Sequence, residues 1–348
     1  MGRPVMIDRA ELGKTGLRVS RVGFGGIPIT RLTDAGAAAL VREAIDAGVS
    51  FLDTAHTYPE SEPRIGMAVS GVDRDAVVLA SKDASADGPM FARHVEESLR
   101  RLGTDYLDLM QFHNVGDRAK WEAIRAPGGA YEAALRLKEQ GKVRHLGVTS
   151  HNIALAGDMI ESGLFETLQV PLNFVADEAE ALLPRCRELG VGFIAMKPFA
   201  GGAIEDGLLA MRHLQQFDGV VPIPGIETRD ELHQVVELYS APRGPTGGER
   251  ARMAQLKREI GKVFCRACGY CQPCPQGIAI PMILRAESFA RRMPADRTRR
   301  AFDRHMPKID ACTGCGQCVE RCPYDLDIPA MLPAKRAWYH QWLGTLEA

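Results

Sequence analysis

Four side chains able to move protons stand at intervals in the first third of the chain. Asp53 and Tyr58 lie in FLDTAHTYPESEPRIG, Lys82 closes AVVLASK and His113 closes YLDLMQFH. Three of them, Asp53, Lys82 and His113, end apolar runs of strand length, and Tyr58 lies on the loop just beyond the first run. A free phenol has a pKa near 10 and is a slow acid at neutral pH. A neighbouring ammonium lowers that value, and a carboxylate holds the ammonium in place. The set reads as a device that donates a proton to a carbonyl oxygen while a hydride reaches its carbon. Tyr58 is then the acid, Lys82 its tuner, Asp53 the anchor of Lys82, and His113 the donor that orients the oxygen. Taken singly, Asp53 and Lys82 read as well as a structural ion pair and His113 as a core histidine. All four at the ends of consecutive strands favour chemistry.

A second chemistry is concentrated in the last quarter of the chain, which holds eight of the nine cysteines. Cys312, Cys315, Cys318 and Cys322, followed by Pro323, have the bacterial ferredoxin spacing. Cys265, Cys268, Cys271 and Cys274, followed by Pro275, have a last gap one residue shorter. In two-cluster ferredoxins the fourth cysteine of each run ligates the other cluster. That rule assigns one [4Fe-4S] cluster to Cys265, Cys268, Cys271 and Cys322, and a second to Cys312, Cys315, Cys318 and Cys274. A single cluster with a defective short run is one alternative. Two four-cysteine zinc sites are another, which the trailing prolines and repeated two-residue gaps disfavour. Cys186 stands apart in a helical stretch and reads as a buried apolar residue.

The elements that must position these groups follow from the pattern of apolar residues. Strand-like segments at residues 19–26, 50–55, 76–82, 106–113, 143–150, 167–173, 191–198 and 219–225 alternate with helical ones at 34–47, 90–102, 131–140 and 230–239. Eight strands joined by crossovers predict an α/β fold, a closed (β/α)8 TIM barrel with its site at the strand C-termini, ahead of a doubly wound open sheet. A hairpin over residues 5–20 is placed to plug the bottom. The Gly- and Pro-rich stretch APRGPTGGER, residues 241–250, reads as a linker between a barrel over 1–243 and a small helical iron-sulfur domain over 249–348. A helix of about 15 residues beginning near 249 would rise roughly 22 Å. That length returns the chain to the top of the barrel and sets the cysteine-rich domain over the strand C-termini. Residues 283–289 between the cysteine runs look helical, and the Arg-rich segment 291–304 reads as a solvated helix face.

Composition narrows the classes. The chain of 348 residues is 45% hydrophobic and 25% charged with a net charge of −1, so it is globular, with no electrostatic case for nucleic acid or a membrane surface. The stretch MGRPVMIDRAELGK lacks the apolar core of a signal peptide, and Met6 stands where a myristoylation signal wants Ser or Thr. Together with the cysteine spacing this gives an expectation of a cytoplasmic protein.

On GLRVSRVGFGG, FLDTAHTYPESE, LASK, LDLMQFH, GKVRHLGVTS and IPG, the first 240 residues resemble the aldo-keto reductase family. CGYCQPCPQGI is similar to a subgroup of that family with a C-terminal 4Fe-4S ferredoxin-type domain. The resemblance implies a nicotinamide cofactor lying across the strand ends without a Rossmann fold. On matching positions, Thr149, Ser150 and Gln169 would hold the carboxamide. Pro198, Phe199, Gly201 and Gly202, with Pro224 and Gly225, would line the ribose and pyrophosphate. Met196 stands where the family often has a tyrosine under the nicotinamide ring. Glu231 stands where it often has an arginine for a 2′-phosphate, which leaves Arg229 for that task and NADH versus NADPH open.

The reading is an NAD(P)H-dependent reductase of a small aldehyde or ketone, whose pocket also draws on Phe24, His56, Trp121 and Phe199, residues that ordinary packing would explain as well. A second reading has the clusters exchanging electrons with a barrel-bound substrate or a redox partner protein, since nicotinamide gives two electrons at once and each cluster moves one. A third is a redox-sensing nicotinamide receptor.

Overall fold

A computed structural model describes residues 7–58 and 60–347. Val5 and Met6, read above as the start of the hairpin and as part of a targeting test, lie outside them. The hairpin consists of β1 (Arg9–Glu11) and β2 (Arg18–Ser20), antiparallel. Eight parallel strands follow, β3 (Phe24–Gly25), β4 (Phe51–Asp53), β5 (Val78–Asp83), β6 (Leu107–Phe112), β7 (Val143–Thr149), β8 (Thr167–Pro171), β9 (Gly192–Met196) and β10 (Val220–Pro222). They pair in chain order. The two ends of the sheet meet where Gly23 N and Gly25 N donate to Pro222 O and Pro224 O, both at 2.8 Å. The curled sheet is thus a TIM barrel, as the crossovers predicted. The strand expected over 19–26 is divided, with Ser20 in the hairpin and Phe24 in the barrel.

Around the barrel run α1 (Asp34–Asp46), α2 (Ser61–Val69), α3 (Gly88–Leu102), α4 (Arg118–Arg125), α5 (Ala130–Glu139), α6 (Ile153–Glu161), α7 (Leu183–Leu189), α8 (Gly207–Leu214) and α9 (Arg229–Ser240). β5 and β6 are buried on both faces, one against these helices and one inside the barrel, which is why they read as continuous apolar runs. Phe24 and Trp121, expected near the substrate, belong to the strand-helix layer, where they are 0% and 3% exposed. Cys186 is buried in the same layer. At the bottom, Leu12 of the hairpin packs on Phe51, Val78, Ile194 and Val221 and closes the interior.

Beyond β10 the chain becomes helical. α10 (Gly247–Gly261) starts inside the expected linker, capped by Thr246 and Glu249, and lays Met253 on Phe174, Ala200 and Leu209 of the barrel. Then come α11 (Ile280–Ile283), α12 (Ala286–Ala290), α13 (Ala295–Phe302), α14 (Gln317–Glu320) and α15 (Ile328–Glu347). The single helix expected over 283–289 is interrupted after Ile283, so Leu284 and Arg285 sit in a break. This region has its own core of Ile280, Ile283, Phe302, Leu332 and Tyr339. It rests on loops that follow the barrel strands: Ser288 Oγ donates to Gly201 O at 2.7 Å, Tyr270 Oη to Asn152 Oδ1 at 3.1 Å, and Arg266 to Val175 O at 2.7 Å. The cysteine-rich region therefore covers the C-terminal mouth of the barrel. No helix among the described residues is long and apolar enough to cross a membrane.

The bottom plug hangs on Gly13. Its φ of +58° suits glycine, and a Cβ there would lie 2.3 Å from Gly192 N and 2.5 Å from Gly190 O. Gly13→Ala should lower stability by about 2 kcal/mol, seen as an earlier first transition in thermal unfolding. An unshifted transition would mean that the plug carries no stability.

Candidate active site and cluster sites

Asp53 ends β4 and Lys82 lies near the end of β5. Register aligns Asp53 with Ala80, so Lys82, two residues on, shares the inward face one layer higher. There the Lys82 ammonium donates to Asp53 Oδ1 and to Thr54 O, both at 2.6 Å. Gln111 Nε2 donates to Asp53 Oδ2 at 3.3 Å and to Gln169 Oε1 at 3.0 Å. Burial pushes the Asp53 carboxyl up and the Lys82 ammonium down, and their mutual attraction opposes both shifts.

Tyr58 sits on the loop after β4, its backbone tied by Tyr58 N to Ala55 O and Ser61 N to Tyr58 O, both at 2.8 Å. The serine and glutamate of the motif hold that loop. Thr54 Oγ1 donates to Ser61 Oγ at 2.8 Å, while the fully buried Glu62 accepts from Ser81 at 2.7 Å and from Arg101 at 3.2 Å. Lys82 Nζ lies 5.6 Å from the centre of the Tyr58 ring, and His113 meets that ring edge-on at 5.8 Å. The expected tuning by Lys82 does not dominate in this arrangement. Burial and the Asp53 charge raise the phenol's pKa above its ordinary value, and the opposing pull comes from Arg292. Burial and the charges of Lys82 and Lys120 hold His113 at about 3, so its imidazole is neutral.

Tyr58, His113 and Asp53 open on a cavity of about 290 Å³ that runs past Met196 to Gly225 and Glu231. Of the positions named for a cofactor, Thr149, Gln169, Met196, Pro198, Phe199, Gly201, Gly202 and Gly225 line it. Ser150, Pro224 and Arg229 do not. Ser150 Oγ is turned to Val115 O at 2.7 Å, Pro224 O takes part in barrel closure, and Arg229 pairs with Glu43 at 2.8 Å. His56 also lies off the wall, bonded to Glu97 at 2.9 Å and stacked on His94. Among the lining residues missed by sequence reasoning are His151, Lys197, Arg291 and Arg292. The arginines belong to the segment read as a solvated face. They fall instead in the turn between α12 and α13, where Arg291 donates to Gly202 O at 3.0 Å.

All cysteines are free of disulfides. Cys265, Cys268, Cys271 and Cys322 surround one small cavity; Cys274, Cys312, Cys315 and Cys318 surround another, which Cys271 also borders. Burial pushes the thiols of Cys265 and Cys268 up, and nearby backbone amides oppose the shift.

Residues 21–220 match the aldo/keto reductase family, over more than half of the chain. The chain belongs to that family. Residues 264–327 match the 4Fe-4S dicluster domain, so an iron-sulfur domain follows the reductase barrel. Over 228 residues the chain is 34% identical to the uncharacterized oxidoreductase YrpG of Bacillus subtilis (strain 168), covering 57% of this chain and 68% of that one. In fold it is similar to the aldo-keto reductase AKR11C1 from Bacillus halodurans (holo form), with a TM-score of 0.62, 23% identity, and 72% of this chain and 96% of that one covered. It is likewise similar to the aldo/keto reductase of Brucella melitensis, with a TM-score of 0.57, 22% identity, and 72% and 99% covered. This aldo/keto reductase is thus an oxidoreductase whose barrel mouth is roofed by its dicluster domain.

The neutral His113 has a consequence for folding. An unfolded chain binds a proton there below its ordinary value of 6.5, whereas the folded chain waits until about 3. In that window the unfolded state binds more protons, so this group makes stability fall as pH falls. His113→Gln should flatten the pH dependence of the urea midpoint between about pH 7 and about pH 5. An unchanged slope would show that His113 titrates normally.

Proposed function

We propose that the barrel reduces an aldehyde or ketone with a nicotinamide cofactor and that Tyr58 is the general acid. The observation that carries this reading is the convergence of Tyr58, neutral His113 and the Lys82–Asp53 pair on one end of a long cavity. Two features of the groove support a dinucleotide. Gln169 Nε2 has only Met196 Sδ, at 3.8 Å, as a partner, which leaves an amide for a carboxamide, and Gly201, Gly202 and Gly225 offer side-chain-free backbone further along. A bound reduced nicotinamide supplies a hydride to the carbonyl carbon. The chain's own residues do the rest: His113 donates to the carbonyl oxygen and fixes its position, and Tyr58 gives that oxygen its hydroxyl proton. Lys82, anchored by Asp53, and Arg292 supply the positive charge that steadies the phenolate left behind.

Glu227 and Glu231 line the far end of the groove, and Arg229 is engaged by Glu43. A 2′-phosphate would meet Glu231 and a Glu227 that already faces Arg31 at 3.5 Å, which favours NADH over NADPH. In the dicluster domain we assign two 4Fe-4S clusters, one to Cys265, Cys268, Cys271 and Cys322 and one to Cys274, Cys312, Cys315 and Cys318, with the domain beginning near residue 249 after a barrel that ends near 243. A second reading, single-electron exchange between the first cluster and a barrel-bound substrate, is favoured by one observation. Cys265 is near enough to Lys197 for each charge to act on the other, and Lys197 lines the substrate cavity.

Tyr58→Phe should lower kcat for aldehyde reduction by about 10²- to 10⁴-fold while NADH still binds, and more tightly than NADPH, by fluorescence titration. Retained turnover would remove Tyr58 as the acid.

A further inference from the structure

Beyond the field that steadies the phenolate, the catalytic end of the cavity holds basic groups without an anionic partner among the described residues. Lys197 follows the last residue of β9 with a φ of +56°, a conformation that costs a side-chain-bearing residue free energy and so marks a position fixed for a purpose. Its carbonyl is held by Asn173 Nδ2 at 3.0 Å and Ala200 N at 2.9 Å. Its ammonium has no hydrogen bond or ion pair among the described residues. Arg292 donates Nε to Ser288 O at 2.8 Å, which leaves its two terminal nitrogens without partners among those residues. A Cβ on the facing Gly201 would strike Ser288 Oγ at 2.4 Å and lie in ordinary contact with Arg292 Cζ at 3.9 Å, so the guanidinium stands beside that backbone. On the same wall, His151 Nδ1 is buried without a hydrogen-bond partner.

The cavity's carboxylates cannot neutralise these cations, because each is already engaged. Asp53 holds Lys82, Glu227 faces Arg31 at 3.5 Å, and Glu231 accepts from the amides of Glu227 and Thr228 at 2.7 and 3.1 Å. Burial and the charges of Arg285 and Arg292 push the Lys197 amine well below its ordinary value and Cys265 opposes them, so an anion bound there would restore its charged form. Arg292 answers to other groups. The groups that act on it are Arg285 and the Tyr58 phenol, which places it at the reacting end. His151 likewise feels His113 as well as Lys197 and Arg292.

Resting on the carbonyl-reductase reading, we propose that the substrate is an oxoacid, an aldehyde or ketone whose carboxylate is held by Lys197 and Arg292 with His151 Nδ1 beside it, while its carbonyl faces Tyr58 and His113. A guanidinium with two free terminal nitrogens suits a carboxylate in fork geometry, and an ammonium adds a point charge. The cofactor's pyrophosphate is the other anion of this chemistry. Arg31 and Arg291 are its own candidates, since Arg291 donates to Gly202 O at 3.0 Å and Arg31 faces Glu227 at 3.5 Å.

The test compares 4-oxobutanoate with butanal, equal in chain length, as substrates of the cluster-loaded protein with NADH. The expected kcat/KM ratio favours the acid by about tenfold or more, and Lys197→Met and Arg292→Gln each cut that ratio about tenfold. Arg258→Gln, on the exposed face of α10, leaves the ratio unchanged. Calorimetric titration with succinate, which has no reducible carbonyl, reads the anion site alone. Succinate binding that depends on Lys197, without reduction of either aldehyde, supports the anion site while removing the reductase reading. Reduction of both aldehydes with a ratio near one and no succinate binding overturns the proposal and leaves the reductase reading intact. Two other results also overturn it: variants that weaken NADH binding at constant ratio assign the cations to pyrophosphate, and variants that move only the cluster reduction potential assign them to the cluster.

Discussion

The site depends on one buried ion pair. Lys82 and Asp53 are 1% and 4% exposed, inside a barrel whose other interior groups are largely apolar, and each charge is tolerable only because the other is 2.6 Å away. Removing one partner of such a pair costs about 3–5 kcal/mol, because the survivor stays buried and unpaired. The surroundings keep the pair in place. Gln111 completes the shell of Asp53, Thr54 O takes a second Lys82 proton, and the Ser61 and Glu62 contacts fix the loop that brings Tyr58 beside them. The barrel thus holds a fixed charge arrangement beneath a phenol that burial alone would keep a poor acid.

The dicluster domain changes the electrostatics of that arrangement. Its interrupted helix puts Arg285 in a break and Arg292 in the next turn, and Ser288 and Arg291 tie the turn to Gly201 and Gly202 after β9. The roof is thereby part of the pocket wall, and its Arg292 opposes the effect of Asp53 on Tyr58. The cavity and the first cysteine run share this boundary through Lys197, which lines the cavity and is near enough to Cys265 for their charges to interact.

Local chemistry made much of this legible in the sequence. Continuous apolar runs ending in Asp53, Lys82 and His113 told of strands buried on both faces with polar groups at one end, and the cysteine gaps marked out the region that matches the dicluster domain. What the sequence concealed depends on tertiary placement. Phe24 and Trp121 are apolar residues near the catalytic positions in the chain, yet their side chains point outward into the strand-helix layer. Arg292 lies in a segment whose composition reads as solvent-facing, and only the docking of the dicluster domain turns it inward. Lys197 is one lysine in an apolar stretch, and nothing local announces a positive φ. Ser150 matches by position, but its hydroxyl is satisfied by Val115 O before any ligand can use it.

The most direct test of the account follows the hydrogen itself. The cluster-loaded protein is mixed anaerobically with an aldehyde and NADH carrying deuterium on both C4 positions, and the alcohol is analysed by mass spectrometry while paramagnetic resonance watches the clusters. Direct reduction in the barrel predicts one deuterium on the carbinol carbon and clusters that keep their oxidation state. An alcohol whose new carbon-bound hydrogen comes from water, formed while the clusters cycle through a reduced signal, would contradict it and place the chemistry in electron transfer.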